Sequence, residues 1–210
     1  MTPNGSVVHF FDAPGIRSSV VSMEESNMSL SVTVLLRSHR DGDSQALNQL
    51  ADLIYPELKA LARNRSRHSR TGATTLVNET FVKLLSGGAL TTEDKREFFA
   101  LAATIMRQII VDEVRYIVAG KRSGQDVTLA ETIIGDDGHE QAEFLLQVND
   151  LMGILEKENE RHARVFECRY FAGFTTAETA EVLDLSVRSV ERAWSEARSR
   201  IAELIENDNA

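Results

Sequence analysis

The sequence is poor in cysteine and proline, the two residue types that restrict a chain most strongly. Cys168 is the single cysteine among 210 residues, which excludes an intramolecular disulfide and argues against a zinc site built on cysteines. The three prolines stand at positions 3, 14 and 56, so the chain beyond Pro56 lacks the residue that most readily breaks a helix. These absences favour a helical protein without covalent cross-links.

Long apolar runs are also absent. No stretch approaches the roughly 18 to 20 continuous apolar residues of a bilayer-spanning helix, and the N-terminus shows no charged segment followed by an apolar one. We therefore expect a cytoplasmic protein with no membrane partner. The five histidines have no metal-ligand spacing, and no paired-carboxylate pocket, glycine-rich phosphate loop or nucleophile with a neighbouring base is visible. The sequence thus predicts no enzyme, no metal and no cofactor.

The negative charge of the protein is concentrated in one segment. The formal net charge at pH 7 is -9. Between Asp126 and Glu160, ten acidic residues stand against Lys157 alone, an excess of nine negative charges and as many as the whole chain carries. The remainder is balanced and contains basic clusters, so a nucleic-acid partner stays open. We expect the acidic segment to weaken DNA binding by the isolated chain, because DNA affinity depends on phosphate neutralisation.

Apolar residues recur every three or four positions along most of the chain, which predicts helices and almost no strands. Residues 1–28 lack this periodicity and are predicted to form a flexible tail. Residues 123–148 are acidic, contain glycines and show no sustained apolar face, so we predict a linker there. The predicted fold is all-α, with two small helical domains at 29–122 and 149–207 joined by this acidic linker.

Residues 174–194, FTTAETAEVLDLSVRSVERAW, have the pattern of a helix-turn-helix. Thr175 or Thr176 is placed to cap a first helix, and Ser186 is placed to cap a second one after a turn at Asp184. The second helix carries an apolar seam that we expect to be buried: Val187, Val190, Trp194, Ala197, Ile201 and Leu204. Its other faces carry the residues predicted to contact DNA: Ser186, Arg188, Ser189, Glu191, Arg192 and Ser195. Taken alone, this pattern fits an ordinary amphipathic helix on a core equally well.

Three segments together resemble bacterial RNA polymerase sigma factors of the extracytoplasmic-function (ECF) group, which keep only sigma regions two and four. The segments are TLVNETFVKLL (75–85), FFALAATIMRQIIVDEVRYIVAGKRSG (98–124) and VFECRYFAGFTTAETAEVLDLSVRSVERAWSEARSRIAEL (165–204). The resemblance covers roughly residues 30 to 206 in the family's order. It implies a subunit without catalysis of its own that binds the clamp helices and flap of core RNA polymerase and directs initiation at -10 and -35 promoter elements.

The resemblance also assigns roles to individual residues. The polymerase-binding set is Leu76, Val77, Asn78, Glu79 and Val82. The set that faces the -10 element is Arg107, Gln108, Asp112, Arg115, Lys121 and Arg122. Some apolar residues of the polymerase-binding helix must instead belong to the core, and Phe81 is the first candidate. Asp112 and Arg115 also fit a simple ion pair on a helix surface.

The sequence departs from the family pattern at three places. Leu101 replaces a common tryptophan, Asp184 replaces the turn glycine, and Ala73-Thr74-Thr75 replaces an acidic run before the polymerase-binding helix. The missing carboxylates motivate a hypothesis: a Ser/Thr kinase that phosphorylates Thr74 or Thr75 would restore about -1.5 to -2 charges. A neutral helix cap at Thr75 explains the same residues.

Two further alternatives remain at this point. An anti-sigma factor is a second regulatory partner that the resemblance allows. A stand-alone helix-turn-helix transcriptional regulator is the alternative function, and it would bind paired DNA half-sites without polymerase.

Overall fold

The protein is all-α, as predicted. The computed structural model describes residues 24–65, 73–86, 92, 94–122 and 138–208, and these contain eight α-helices, one short π-helix and no strand. The α-helices are α1 (Glu24–Arg40), α2 (Ser44–Arg65), α3 (Ala73–Ser86), α4 (Lys95–Arg122), α5 (Gly138–Glu158), α6 (Glu160–Phe166), α7 (Thr176–Val182) and α8 (Val187–Asp208). The π-helix, Glu167–Phe171, continues α6. We call α1 to α4 the N-terminal half and α5 to α8, with the π-helix, the C-terminal half.

Local side-chain signals set several helix ends. Asp43 Oδ1 accepts a hydrogen bond from the Gln45 amide at 2.8 Å at the start of α2. Gly42 supplies the positive φ of 97° in the preceding turn. Asn159 Oδ1 accepts from the His162 amide at 3.2 Å and caps α6. Pro56 lies inside α2 and does not end it.

The N-terminal half encloses the larger core. Apolar residues spaced by three and four point inward from each of its helices, and burying one such side chain stabilises the fold by roughly 1.5–3 kcal/mol. The largest fully buried side chains of this core are Leu36, Leu50, Ile54, Leu58, Leu84, Phe98 and Met106.

A second core lies within the C-terminal half and is rich in aromatic rings. The Phe166 ring lies 5.1 Å from Tyr170 and 5.3 Å from Trp194, measured between ring centroids. Leu155 and Ile201 are fully buried beside them. α5, α6 and α8 meet around this cluster, which holds the long helix α8 in place.

The two cores share residues across the expected domain boundary. Cys168, Ala172 and Phe174 of the C-terminal half pack into the N-terminal core, and Val111 of α4 belongs to the second core. Burial raises the pKa of the Cys168 thiol to about 12. The halves therefore meet through an apolar interface, and the division at 29–122 and 149–207 remains a prediction.

Two helices begin inside segments that we expected to be irregular. α1 begins at Glu24, within the expected tail 1–28, and α5 begins at Gly138, within the expected linker 123–148. In α5, Ala142, Leu145 and Val148 are buried at helical spacing. Glu143 between them, and Glu140 and Asp150 on either side, concealed this face. Residues 1–23 and 123–137 lie outside the described residues.

Candidate nucleic-acid interface

α7 and α8 form the predicted helix-turn-helix. Thr175 Oγ1 accepts from the Glu178 amide at 3.2 Å, and the Glu178 carboxylate accepts from the Thr175 amide at 2.6 Å, which is a reciprocal cap. Asp184 adopts a φ of 53°, in the left-handed region that aspartate tolerates better than most residues. Ser186 Oγ accepts from the Ser189 amide at 3.1 Å and caps α8. The capping predictions at Thr175 and Ser186 are confirmed.

α8 buries one face against the other helices of its half. The buried residues are Val190, Ala193, Ala197, Ile201 and Ile205. The predicted seam was wrong at its first residue, because Val187 is 48% exposed. Val187 lies outside the small core that Val190 shares with Val165 and Ala180. Trp194 and Leu204 are half-buried.

The residues predicted for the -35 element line the first turns of α8. All are exposed except Ser189, which is half-buried: Ser186, Arg188, Ser189, Glu191, Arg192 and Ser195. The Ser186 and Ser189 hydroxyls are 2.7 Å apart and hydrogen-bond to each other. Arg192 pairs with Glu196 at 3.3 Å, yet 81% of its side chain is exposed. Such a helix start can place arginine, glutamate and serine groups against base edges in a major groove.

Trp194 carries two guanidinium groups close to its ring, an arrangement that the sequence analysis missed. Arg169 Cζ lies 5.1 Å and Arg198 Cζ 5.4 Å from the ring centroid. Arg169 also donates to Thr176 Oγ1. Burial, and then the charge of Arg198, lower the pKa of Arg169. The spacing of Trp194 and Arg198 along one helix could have predicted their contact, whereas no sequence pattern predicts that Arg169 lies beside the same ring.

Arg107, predicted to contact the -10 element, is held by the C-terminal half. Its Nε donates to Asn149 Oδ1 at 3.0 Å and its Nη2 to the Asn149 carbonyl at 3.4 Å. Its Nη1 donates to Glu167 Oε1 at 3.3 Å. The guanidinium also lies 5.5 Å from the centroid of Phe171. With 24% of its side chain exposed, Arg107 is not available to DNA in this conformation.

The other predicted -10 residues lie further along α4. Gln108 and Asp112 are exposed. Arg115 forms ion pairs with Asp112 at 3.9 Å and with Asp150 of α5 at 3.8 Å. The helix-surface pair considered from the sequence therefore exists, and a second carboxylate joins it. The side chains of Lys121 and Arg122 lie outside the described residues.

The start of α4 makes a second set of ionic contacts to the C-terminal half. Lys95 Nζ lies 3.2 Å from Glu181 and 3.8 Å from Glu57, with 8% of its side chain exposed. Arg96 Nη1 lies 2.9 Å from Asp184, in the turn of the helix-turn-helix. Because Lys95 and Glu181 are 86 positions apart, no local sequence pattern predicts this contact.

Four of these ion pairs join the halves with the same polarity. In each, the cation belongs to α4 and the carboxylate belongs to the C-terminal half. The pairs are Lys95–Glu181, Arg96–Asp184, Arg107–Glu167 and Arg115–Asp150. The C-terminal half thus holds carboxylates against cations that could otherwise bind phosphate groups.

α3 divides the residues predicted to bind the polymerase. Leu76 and Val77 are buried in the N-terminal core. Their side chains lie on the inward face of the helix. Asn78, Glu79 and Val82 are exposed, and Asn78 Oδ1 accepts from the Tyr55 hydroxyl at 3.0 Å. Phe81 is half-buried against the core, in line with its expected role.

An open cavity of about 250 Å³ lies between residues of α3 and α4. Glu79, Asp112, Glu113 and Tyr116 are among its lining residues. Tyr116 is 73% exposed. The cavity adjoins the exposed face of α3, so any partner that binds this face also meets α4.

Thr74 and Thr75 are exposed in the first turn of α3, which contains no acidic residue. Their hydroxyl groups are therefore accessible. Exposure alone does not support phosphorylation, and the kinase hypothesis stays a prediction.

Within the described part of the chain, no cluster of histidine, cysteine, aspartate and glutamate side chains is arranged to hold a metal ion. The described helices include none with the length and apolar character needed to cross a membrane.

Comparison with known proteins decides the family. The family model described as ECF sigma factor matches residues 29–207. The chain belongs to the ECF sigma factor family. A solved structure similar to this ECF sigma factor is titled "Structure of CnrH in complex with the cytosolic domain of CnrY". The two share 18% sequence identity over 85% of this chain and 99% of that chain, with a TM-score of 0.38. No curated protein gives a significant sequence match.

Family membership shows that this ECF sigma factor acts in transcription initiation and binds DNA. It does not favour the alternative of a stand-alone regulator. The helix-turn-helix of α7 and α8 and the all-α fold agree with this assignment.

Proposed function

We propose that this ECF sigma factor binds the clamp helices and the flap of core RNA polymerase. It directs the polymerase to -10 and -35 promoter elements, and it acts in the cytoplasm. It has no catalytic activity of its own. The observation that carries the proposal is helix α8. This helix is capped at Ser186, buried along one face, and exposes Arg188, Glu191 and Arg192 at the end that a recognition helix inserts into the major groove.

Each surface has a proposed partner. The start of α8 reads the -35 element, where one good base contact contributes about 1–3 kcal/mol of discrimination. The predicted residues of α4, from Arg107 to Arg122, contact the -10 element. The exposed Asn78, Glu79 and Val82 of α3 bind the polymerase clamp, while Leu76 and Val77 hold the helix in place from the core.

The arrangement of the two halves explains how an acidic protein serves as a DNA-binding subunit. Glu167 holds the largely buried Arg107, and Asp150 lies 3.8 Å from the exposed Arg115, so both arginines are less able to neutralise promoter phosphates in the isolated chain. Asp150 belongs to the acidic segment that we expected to suppress DNA binding. The polymerase must therefore separate α4 from α5 and the π-helix before the -10 surface can act.

Glu167 keeps a partner when the halves separate. This carboxylate is 6% exposed and would be costly to leave buried without a cation. Arg164 of α6 also lies 3.4 Å from Glu167, within the same half. The loss of Arg107 thus leaves an ion pair in place, which lowers the free energy needed for opening.

The first experiment combines the purified chain with core RNA polymerase and a promoter library. We expect initiation from a subset of promoters that share two short elements, and weak DNA binding by the chain alone at physiological salt. If the isolated chain binds paired half-sites tightly and does not associate with the polymerase, the stand-alone regulator is correct instead.

A second experiment addresses the closed arrangement. Glu167→Gln and Asp150→Asn remove carboxylates that hold α4, so we expect the isolated double variant to bind single-stranded -10 DNA more tightly than the parent. The double variant Glu158→Gln with Glu203→Gln is the matched control, because it removes the same number of charges from residues that pair with Arg200 inside the C-terminal half. An equal gain in the control would mean that net charge alone is responsible.

Regulation through Thr74, Thr75 or an anti-sigma factor is a separate proposal. The exposure of both threonines at the start of α3 leaves their hydroxyl groups accessible to a kinase. If Thr74→Asp and Thr75→Asp variants initiate no better than the parent without a kinase, the phosphorylation switch is wrong.

A further inference from the structure

We propose that Val187 is a specificity-determining residue whose isopropyl group contacts the C5-methyl group of a thymine in the -35 element. This inference rests on the proposed assignment of α8 to that element. It adds an apolar contact to the polar residues through which α8 is proposed to read DNA.

The exposure of Val187 sets it apart from the other apolar residues of its helix. Val190, Ile201 and Ile205 are buried, whereas Val187 is 48% exposed and is the one large apolar side chain of residues 187–208 in that state. A β-branched side chain in a helix adopts one strongly preferred rotamer. Its methyl groups are thus held in a defined direction, and their removal from water stabilises a complex.

The position of Val187 selects the partner. It is the first residue of α8, between the exposed Ser186 and Arg188, so it is continuous with the proposed DNA surface. The N-terminal residues of a recognition helix contact base edges in the major groove. The apolar group that a base presents there is the thymine methyl, which cytosine lacks.

The neighbouring serine hydroxyl groups are engaged in the cap of α8. Ser186 Oγ and Ser189 Oγ are 2.7 Å apart, and Ser186 Oγ also accepts from the Ser189 amide. Their hydrogen-bonding capacity is partly used within the cap. Val187 therefore contributes discrimination that these two serines do not provide.

The test uses the holoenzyme and a promoter selected from the library. Each thymine of the -35 element is replaced in turn by deoxyuridine, which removes only the C5-methyl group. For the parent we expect affinity to fall by about threefold to fivefold at one position. Val187→Ala should bind the unmodified promoter correspondingly more weakly and should be insensitive to the replacement at that position.

Two further variants serve as controls. Val34→Ala shortens a valine of α1 that is 55% exposed and lies outside the proposed DNA surfaces, so it should keep the parent's response to deoxyuridine. Val187→Thr preserves the branched shape and replaces one methyl with a hydroxyl, so it should show a reduced response. Thermal unfolding followed by circular dichroism confirms that each variant is folded.

The proposal is overturned if the parent is indifferent to every deoxyuridine, if Val187→Ala keeps the parent's response, or if the selected -35 element contains no thymine. Failure of the proposed function gives a different result, since the holoenzyme would then initiate from no promoter in the library. The two failures are therefore distinguishable.

Discussion

The two surfaces proposed to contact DNA differ in what their arginines do when DNA is absent. On α4, Arg107 and Arg115 are bound to Asn149, Glu167 and Asp150 of the opposite half. On α8, Arg192 pairs with a residue of its own helix and keeps 81% of its side chain exposed. The number of cations on a surface thus does not determine its capacity for phosphate. What matters is whether packing between the halves holds the cation against a carboxylate, as it does for Arg107, whose side chain is 24% exposed.

The largest effect on the free energy of unfolding should come from a cavity in either of the two cores. Phe166 is fully buried against Tyr170 and Trp194, so Phe166→Ala should lower the free energy of unfolding by about 3–5 kcal/mol. Phe98→Ala creates a comparable cavity in the other half. Trp194 is the only tryptophan, so its fluorescence reports on the C-terminal half alone.

If the halves unfold as one unit, Phe98→Ala shifts the urea transition of Trp194 fluorescence together with that of circular dichroism. If Phe98→Ala leaves the urea transition of Trp194 fluorescence unchanged, the two halves unfold independently. The interface between the halves would then contribute little to their stability.

A smaller effect should separate the two DNA surfaces directly. Arg188→Ala should weaken promoter binding by about 1–3 kcal/mol and relax the preference at one base pair of the -35 element. The residual binding of the isolated chain should also fall. Arg107→Ala should impair the holoenzyme and leave DNA binding by the isolated chain unchanged, because Asn149 and Glu167 already occupy Arg107. Gel-shift titrations with and without polymerase measure both effects. Equal losses in the isolated chain would show that Arg107 is as available to DNA as Arg188.

A weaker contact lies at the turn of the helix-turn-helix. Asp184→Asn keeps a residue that tolerates positive φ. It removes the ion pair with Arg96, a pair that is exposed to solvent. We expect a loss of about 0.2–1 kcal/mol in unfolding free energy, decreasing as salt is added. In a double-mutant cycle with Arg96→Gln, the second substitution should add little to the first. Full additivity would mean that the pair does not couple the halves.

The smallest effect should come from a pair within the C-terminal half. Glu158 accepts two hydrogen bonds from Arg200, at 2.7 and 2.6 Å, and these bonds lower the pKa of Glu158 below its ordinary value of 4.5. A lowered carboxyl pKa stabilises the fold above 4.5 and loses this contribution as the pH falls through the folded-state pKa. The Tm of Glu158→Gln should therefore lie slightly below that of the parent at pH 7 and match it in strong acid. A constant difference at both pH values would rule out the ionised pair as its cause.

Local signals made much of the fold and part of the site predictable. The caps at Thr175 and Ser186 depend on residues three positions away, and the helices of the N-terminal half follow from apolar spacing. The exposure of Val187 could not be predicted, because the seam does not show where the small core ends. The contacts of Arg107 and Lys95 join residues 60 and 86 positions apart, and tertiary packing alone brings them together.

The burial of the only sulfur nucleophile has a practical consequence for experiments on this molecule. Cys168 is 2% exposed, and its pKa of about 12 keeps the thiolate scarce at neutral pH. Maleimide dyes should therefore not react with Cys168. A cysteine introduced at Val34 or Ile154, both exposed, would be labelled selectively in the otherwise unaltered chain. With one dye on each half, energy transfer could follow how far α1 and α5 move apart when polymerase is added.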